Sequence, residues 1–274
     1  MYLVSVLMTA YNREKYIAEA IESVLASTFT DFELIIVDDC SKDKTIEIAR
    51  KYEALDSRVK VYINERNLGD YPNRNKAASY AKGTYLKYLD SDDVMNINCL
   101  AIMVNKMDAH PECAFGVSSR SLNHSIVHIP EDAYRVHFFE RGILDISPSG
   151  SIIRNDIFKI ESGFWETRCV SDFEFWLRLA QKYSVLELQK DLIYWREHEG
   201  QEINMGKIEY LEHNLNIISE KLKGSSLNQF EQATILKNYR RATSRQIIKF
   251  SFSLGLSKLF YLFKVNKISV IDAF

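Results

Sequence analysis

The first 110 residues alternate between two hydrophobic periods, and few folds accept that pattern. Short apolar runs at 4–8, 32–37, 59–63 and 84–89 have the length and composition of buried strands. Between them, apolar residues recur at helical spacing. Ile17, Ala20, Ile21, Val24 and Leu25 mark a helix within 13–26, and Ile46, Ile48, Ala49 and Tyr52 mark a second. Residues 72–81 give a third, and 96–109 a fourth that stops before Pro111. Strands and helices alternating at this interval make βαβ units, whose parallel strands are covered on both faces. The pattern predicts an α/β chain with a mainly parallel sheet flanked by helices.

In an open sheet of this kind, ligands bind outside the carboxyl ends of the strands. Thr9 and Tyr11 follow the first run, Asp38 and Asp39 the second, and Asp90-Ser91-Asp92-Asp93 the fourth. These polar residues converge on one edge. Three carboxylates within four positions repel one another, so stability is a poor reason to place them together. A divalent cation would remove the repulsion. Hard oxygen ligands suit Mg²⁺ or Mn²⁺, which complete their shells with substrate phosphate. Turn and cap chemistry is the alternative, because Asp and Ser side chains accept bonds from free backbone N–H groups. Asp38, Ser41 and Asp93 fit that role best.

Composition leaves room for one large domain, or one of about 200 residues with an appendage. At 274 residues and 46% hydrophobic content, a sizeable core is expected. Cys40, Cys99, Cys113 and Cys169 lie far apart without a C-x-x-C pair, against both a zinc site and a disulfide framework. The start of the chain lacks signal-peptide features, and no run approaches the ~20 apolar residues of a transmembrane helix. The expected location is therefore the cytoplasm. The net charge of −2 hides a segregation: eight basic residues lie between Lys237 and Lys267 with no acid among them.

The middle is less regular, with strands expected at 115–118 and 151–153. A helix over 172–182 places Phe175, Trp176, Leu179 and Ala180 on one side, and strand-like runs follow at 184–188 and 192–195. Helices are expected over 208–222, 230–250 and 254–265.

Read together, the motifs resemble the inverting glycosyltransferases of family two, which have the GT-A fold. Val4-Ser-Val-Leu-Met-Thr9-Ala-Tyr11-Asn12 is similar to that family's first strand and nucleotide loop. The second block runs from Ser27 through Phe32-Glu-Leu-Ile-Ile-Val-Asp38-Asp39-Cys-Ser41. Asn67-Leu-Gly69, Arg74-Asn75, Ala81-Lys-Gly83 and Leu89-Asp90-Ser91-Asp92-Asp93 follow in the family's order. The likeness fades after Asp108, returns near Ser162-Gly163-Phe164 and Asp172, and is absent from about Ile208 onward.

The resemblance implies a GT-A (Rossmann-like) catalytic domain over 1–205, with a nucleotide-sugar half to about 110 and an acceptor half over 111–205. A C-terminal helical extension would occupy 206–274. It implies that Thr9 and Tyr11 line the nucleotide pocket and that Asp39 accepts the base imide N–H, favouring uracil or thymine. A cap at the strand–helix turn is the alternative for Asp39. Arg74 would offset diphosphate charge, against a solvated helix face. Asp92 would be the first metal ligand for Mn²⁺ or Mg²⁺, with Asp90 helping directly or through water and the ribose. Tyr194-Trp195-Arg196-Glu-His198 is similar to the family's Tyr-Arg-x-His block, so His198 would complete the metal shell or touch the diphosphate. Asp172 would be the catalytic base, although the family's usual preceding Glu is Ser171 here; Glu174 is its rival. Trp165, Arg168 and Trp176 would form an acceptor platform, with core packing the alternative for Trp176.

The implied function is hexosyl transfer from a UDP-sugar or dTDP-sugar to a hydroxyl of a glycan acceptor. The acceptor would be polysaccharide, lipid-linked or protein-linked, and transfer a metal-assisted direct displacement. A nucleotidyltransferase would carry a Gly-rich basic loop after the first strand, which Thr9-Ala-Tyr-Asn12 is not. A decayed sugar-nucleotide-binding scaffold would have no reason to keep Asp90, Asp92 and Asp172 together. Ile248, Phe252, Leu256, Leu259, Phe260 and Phe263 recur near helical spacing, with Lys249, Lys258 and Lys264 off the stripe. Such a helix suits the inner face of an anionic membrane, or packing on the catalytic domain or a second subunit. No nucleic-acid-binding module is present.

Overall fold

The strand β1 (Val4–Ala10) shows why both faces of the sheet are covered. Val4, Val6 and Met8 point to one face and Leu7 to the other, and every one of them is fully buried. The same division splits Leu34 and Ile36 from Ile35 and Val37 in β2 (Phe32–Asp38). A strand buried on both sides reads as a continuous apolar run, as these do.

The computed structural model describes residues 3–167, 169–198, 207–250 and 256–273. After β1 come α1 (Ile17–Leu25), β2, α2 (Thr45–Leu55), β3 (Val59–Ile63), α3 (Asp70–Tyr80) and β4 (Tyr85–Tyr88), in the expected alternation. Then follow β5 (Val94–Met95), α4 (Cys99–Ala109), β6 (Cys113–Ser118), β7 (Ile126–His128), α5 (Pro130–Val136), β8 (Ser151–Arg154) and α6 (Asn155–Ile160). α7 (Ser171–Ala180), β9 (Ser184–Leu188) and β10 (Ile193–Tyr194) precede three helices: α8 (Lys207–Leu222), α9 (Gln229–Phe250) and α10 (Leu256–Val265).

The sheet has eight strands in the order β3-β2-β1-β4-β8-β6-β9-β7. β1 to β4 are parallel, β8 is antiparallel to both β4 and β6, and β7 is antiparallel to β9. The sheet is thus mixed but mainly parallel, as expected. Helices α1, α2 and α4 cover one face through Ile17, Ile21, Ala49, Leu100 and Met103. Helices α3, α7 and α8 cover the other through Ala77, Trp176, Leu177, Ile217 and Ile218.

Two local devices set the strand ends. Ser5 Oγ donates to Glu33 Oε1 at 2.6 Å and accepts Gly83 N at 2.8 Å, while Lys82 N also reaches Glu33 Oε1 at 2.8 Å. A Cβ on Gly83 would lie 2.5 Å from Ser5 N, so the Ala81-Lys-Gly83 block is glycine-bound by close approach. At the other end, β5 pairs antiparallel with β10, Val94 opposite Tyr194. That ribbon carries residues 194–198 onto the acidic junction.

Helix α1 begins at Ile17 rather than near Arg13, because Arg13–Tyr16 is engaged elsewhere: Arg13 N donates to Thr45 Oγ1 at 2.7 Å. Helix α10 turns Leu262 inward to Leu211, Leu215, Ile247 and Ile268, with Leu259 and Phe263 packed against them. Phe260 and Tyr261 remain exposed. The expected apolar stripe is therefore split between packing and solvent, and Phe252 lies outside the described residues.

Candidate active site

The exits of β2, β1 and β4 lie side by side. Asp39 N donates to Ala10 O at 2.8 Å, tying the first two, and Ser91 Oγ donates to Thr9 O at 2.8 Å, tying the first to the acidic junction. Thr9 is half-buried and Tyr11 is exposed just beyond it. Asn12 and Cys40, both non-glycine, adopt φ of 52° and 70° at these exits. Such strain persists only where the surroundings hold it.

Asp39 does not cap α2. Its Oδ1 accepts Leu68 N and Asn64 Nδ2, both at 2.8 Å, and its Oδ2 accepts Gly69 N at 2.9 Å. The Asn67-Leu-Gly69 block therefore wraps round this carboxylate, with Gly69 at φ 89°. Asp38 takes the local turn role, accepting Ser41 N at 2.8 Å and Ser41 Oγ at 2.5 Å. Burial raises its pKa above the usual carboxylate range. Ser41 is no helix cap either; its Oγ accepts Asn12 N at 2.8 Å, while Asp43 Oδ1 accepts Thr45 N at 3.0 Å.

The acidic junction departs from its sequence expectation in an informative way. Two of its three carboxylates, Asp90 and Asp92, are paired with the protein's own cations. Arg74 Nη2 lies 2.7 Å from Asp90 Oδ1, and Arg13 Nε lies 2.8 Å from Asp92 Oδ2. Arg196 N donates to Asp93 Oδ1 at 3.2 Å, and Arg196 Nε donates to Asp92 O at 3.0 Å. Below them Lys87, fully buried, donates to the carbonyls of Tyr88 and Ser149. Repulsion between Asp90 and Asp92 is thus offset by side-chain cations, while Asp93 remains pressed by both. A metal site must rest on donor chemistry instead.

That chemistry is present in part. His198 Nε2 lies 3.0 Å from Asp92 Oδ2, and its ring stacks on Tyr16 with centroids 4.7 Å apart. An imidazole nitrogen beside a carboxylate oxygen suits Mn²⁺ or Mg²⁺ when substrate oxygens fill the remaining positions. Asp90 does not join them. Among the described residues no group of three His, Cys, Asp or Glu is gathered to hold a cation. Asp90 is paired with Arg74 Nη2, while Asp92 and His198 face each other.

Asp93 is not a helix cap, since β5 follows it and α4 starts only at Cys99. It bonds Ser149 as well as Arg196 N, and burial with nearby Asp90 pushes its pKa up to about 7. Arg74 is no solvated helix residue. It is buried, bridges Asp70 and Asp90, and its Nη1 has no partner among the described residues.

Asp172 stands at the start of α7. Its Oδ1 accepts Phe173 N at 2.8 Å, and it also accepts a bond from Tyr71. Burial is the main cause that pushes its pKa up to about 6, opposed by the Tyr71 and Phe173 bonds, with Asp70 and Arg74 acting in opposite senses. Two distant motifs set the approach to it. Asn75 Nδ2 donates to Phe164 O at 2.8 Å, and Phe164 N donates back to Asn75 Oδ1 at 3.0 Å. Glu174 is excluded as the base: it is fully buried and neutralised by Arg178 at 3.0 Å and Lys221 at 2.7 Å.

The expected acceptor platform does not assemble as a unit. Trp176 is fully buried, stacked on Phe115, and its Nε1 donates to Ile146 O at 2.9 Å, so it offers no face to a sugar. Trp165 is 37% exposed, with Lys221 Nζ 4.7 Å from its ring centroid. Arg168 lies outside the described residues. Arg13, Tyr16, Tyr71 and Arg196 are the site residues that motif reading missed. Arg13 directly follows Tyr11-Asn12 and Arg196 stands inside the Tyr-Arg-x-His block, so position was the available signal.

Comparisons with known proteins bear on the family and the fold. The profile of Glycosyl transferase family 2 matches residues 5–159. The chain is 41% identical over 120 residues to the putative teichuronic acid biosynthesis glycosyltransferase TuaG of Bacillus subtilis, covering 44% of this chain and 47% of that one. It is 41% identical over 106 residues to the Escherichia coli UDP-Glc:alpha-D-GlcNAc-diphosphoundecaprenol beta-1,3-glucosyltransferase WfgD, covering 39% and 41%. The matched segments thus span less than half the length of these relatives. In fold, it is similar to S. aureus TarS 1-349 in complex with UDP-GlcNAc, with a TM-score of 0.75 at 24% identity over 97% of this chain and 79% of that one. The mannosyltransferase PcManGT of Pyrobaculum calidifontis, in complex with GDP-Man and Mn²⁺, gives 0.69 at 14% identity over 95% and 78%. The fold is that of the GT-A glycosyltransferases.

Proposed function

The chain belongs to glycosyl transferase family 2, and from that membership and the site geometry we propose that it transfers a sugar from a UDP-sugar or dTDP-sugar to a hydroxyl of a glycan acceptor, with inversion. The observation that carries this reading is Asp172, a carboxyl with its pKa raised to about 6, close enough to Asp70 and Arg74 to feel both. Arg74 in turn bridges to Asp90. The proposed proton acceptor and the proposed phosphate-side cation are thereby electrostatically linked.

In this mechanism Tyr11 packs beside the base and Asp39 accepts its imide N–H. Oδ2 of Asp39 takes one backbone bond, so a lone pair remains for that hydrogen. Arg74, with its orphaned Nη1, donates to the diphosphate. Asp90 meets the ribose side. Asp92 and His198 would hold the divalent cation, Mn²⁺ or Mg²⁺, which when bound offsets the charge on the departing diphosphate. Asp172 accepts the proton of the acceptor hydroxyl as its oxygen attacks the anomeric carbon. The bond from that carbon to the diphosphate breaks on the opposite side, and the nucleoside diphosphate leaves. Trp165 flanks the acceptor.

The relative WfgD, a UDP-Glc:alpha-D-GlcNAc-diphosphoundecaprenol beta-1,3-glucosyltransferase, supports a lipid-linked acceptor. No helix among the described residues is long and apolar enough to cross a membrane. Contact with an anionic membrane surface is instead assigned to the C-terminal helices. Exposed Lys237, Arg241, Arg245 and Lys249 recur every fourth residue along α9. We divide the roles as donor half 1–110, acceptor half 111–205 and C-terminal helices 206–274, of which α9 and α10 face the membrane.

A screen of nucleotide sugars with Mn²⁺ tests the donor, and calorimetry tests the metal pair. Asp92→Ala is expected to abolish the Mn²⁺-dependent part of UDP binding. Undiminished binding would remove Asp92 as a ligand.

A further inference from the structure

Arg13 occupies the place on Asp92 where a metal ion would compete. Its Nε lies 2.8 Å from Asp92 Oδ2, the same oxygen that faces His198 Nε2 at 3.0 Å. The guanidinium is not there casually. Its Nη1 donates to Tyr11 O at 3.0 Å and to Asn12 O at 3.2 Å, and its own backbone N is fixed to Thr45 Oγ1 at 2.7 Å. The loop after β1 thus holds a monovalent cation on the carboxylate. Arg13, Lys15, Tyr16 and His198 also line a cleft of about 550 Å³, which gives the side chain somewhere to go when displaced.

We propose that Arg13 is a resident counter-cation that keeps divalent metal off Asp92 until a nucleoside diphosphate brings it. This rests on the reading of Asp92 and His198 as the metal pair. A charge-assisted bond must be given up before Asp92 Oδ2 can coordinate, so metal alone binds weakly. Diphosphate oxygens supply the further ligands that tip the exchange, and the freed guanidinium then faces their negative charge. The consequence is ordered binding: metal arrives with the donor, not before it. An unoccupied site stays neutralised without one, which explains how the acidic junction survives in the free protein.

The test uses the full chain and Mn²⁺ alone, titrated by the loss of the free-ion electron paramagnetic resonance signal. Arg13→Ala and Arg13→Gln are expected to bind Mn²⁺ about tenfold more tightly than wild type, the factor that 1.4 kcal/mol represents. Arg13→Lys should fall between, keeping the charge but losing the Nε geometry. All three must show wild-type thermal midpoints to within a few degrees, and the Gln and Lys variants carry the comparison if Ala does not fold. Unchanged or weaker Mn²⁺ binding by folded Arg13→Gln overturns the proposal. Asp92→Ala separates the two ideas. If it leaves Mn²⁺-dependent UDP binding intact, the metal pair itself is wrong; if it abolishes that binding while Arg13→Gln gains nothing, only the role of Arg13 fails.

Discussion

Asp172 is the residue we propose as the base, and its raised pKa makes two effects of one substitution separable. A carboxyl whose folded pKa lies above 3.8 is favoured by the fold in its neutral form. Its contribution to stability is full below that unfolded value and is lost as pH rises towards about 6. Near neutral pH the native chain therefore carries an ionised base at a cost. Asp172→Asn is expected to lose transfer by a factor of about 10³ or more while keeping donor affinity. It should also gain about 1–3 kcal/mol near pH 7.5, a gain that vanishes near pH 4. A simple helix cap predicts the opposite, a loss of stability, so melting curves at the two pH values decide. In the wild type, kcat/KM should fall tenfold per unit below about pH 6 if this group is the base. Much of the proposed site was visible in the sequence at this scale. Asp39, Asp92 and His198 follow strand exits or a motif, and the strand pattern alone gathers most of them. For Arg13 and Arg196 the sequence offered only position beside a motif, because their partners lie 79 and 104 positions away.

At the scale of elements, the periodic parts of the chain were readable and the irregular parts were not. β1 to β4 emerge within a residue or two of their apolar runs, because a strand buried on both faces has little else it can be. β5, β7 and α5 leave no comparable trace. β5 has two residues and owes its existence to pairing with β10, and α5 follows a strand of only three. Much of the stretch from 111 to 165 is built from short pieces, so its order must come from specific bonds. The reciprocal pair between Asn75 and Phe164 is the principal one, joining α3 to the segment that leads into α7. Gly163 belongs to it, since a Cβ there would lie 2.7 Å from Asn75 Oδ1 at a φ of 65°. Asn75→Ala leaves both Phe164 backbone groups without that partner. The expected cost is about 1–3 kcal/mol. Because the clamp sets the approach to Asp172, kcat should fall more than donor affinity. A variant with lowered stability but unchanged kcat would make the clamp structural only.

For the molecule as a whole, the C-terminal helices divide between core packing and an exposed basic and aromatic surface, which their sequence suggested without separating. Helix α8 is part of the main core: Ile217, Ile218 and Leu222 pack with Trp176, Leu177 and Ala180. Uncovering those three side chains costs about 5–9 kcal/mol, comparable with the whole stability of a domain. A chain ended at residue 205 is therefore expected to bind hydrophobic dyes and to melt without cooperativity, and a cooperative transition would show the boundary to be a structural one. The outer helices differ. In α9 the ridge of Lys237, Arg241, Arg245 and Lys249 is exposed, while α10 presents Phe260 and Tyr261, with Lys258 over the Tyr261 ring at 4.9 Å. A second copy of this chain would bring a like-charged ridge against the first. An anionic lipid surface instead meets the cations with complementary charge and the aromatic rings with an interfacial layer. Each cation is worth about 1 kcal/mol at such a surface. Replacing Lys237 and Arg241 with glutamate should therefore weaken sedimentation with phosphatidylglycerol-containing vesicles at least about tenfold. Wild-type binding should also decline as salt is raised. Equal binding to pure phosphatidylcholine would remove the electrostatic basis, and a dimer in ultracentrifugation that Phe260→Ser dissolves would give the surface to a second copy.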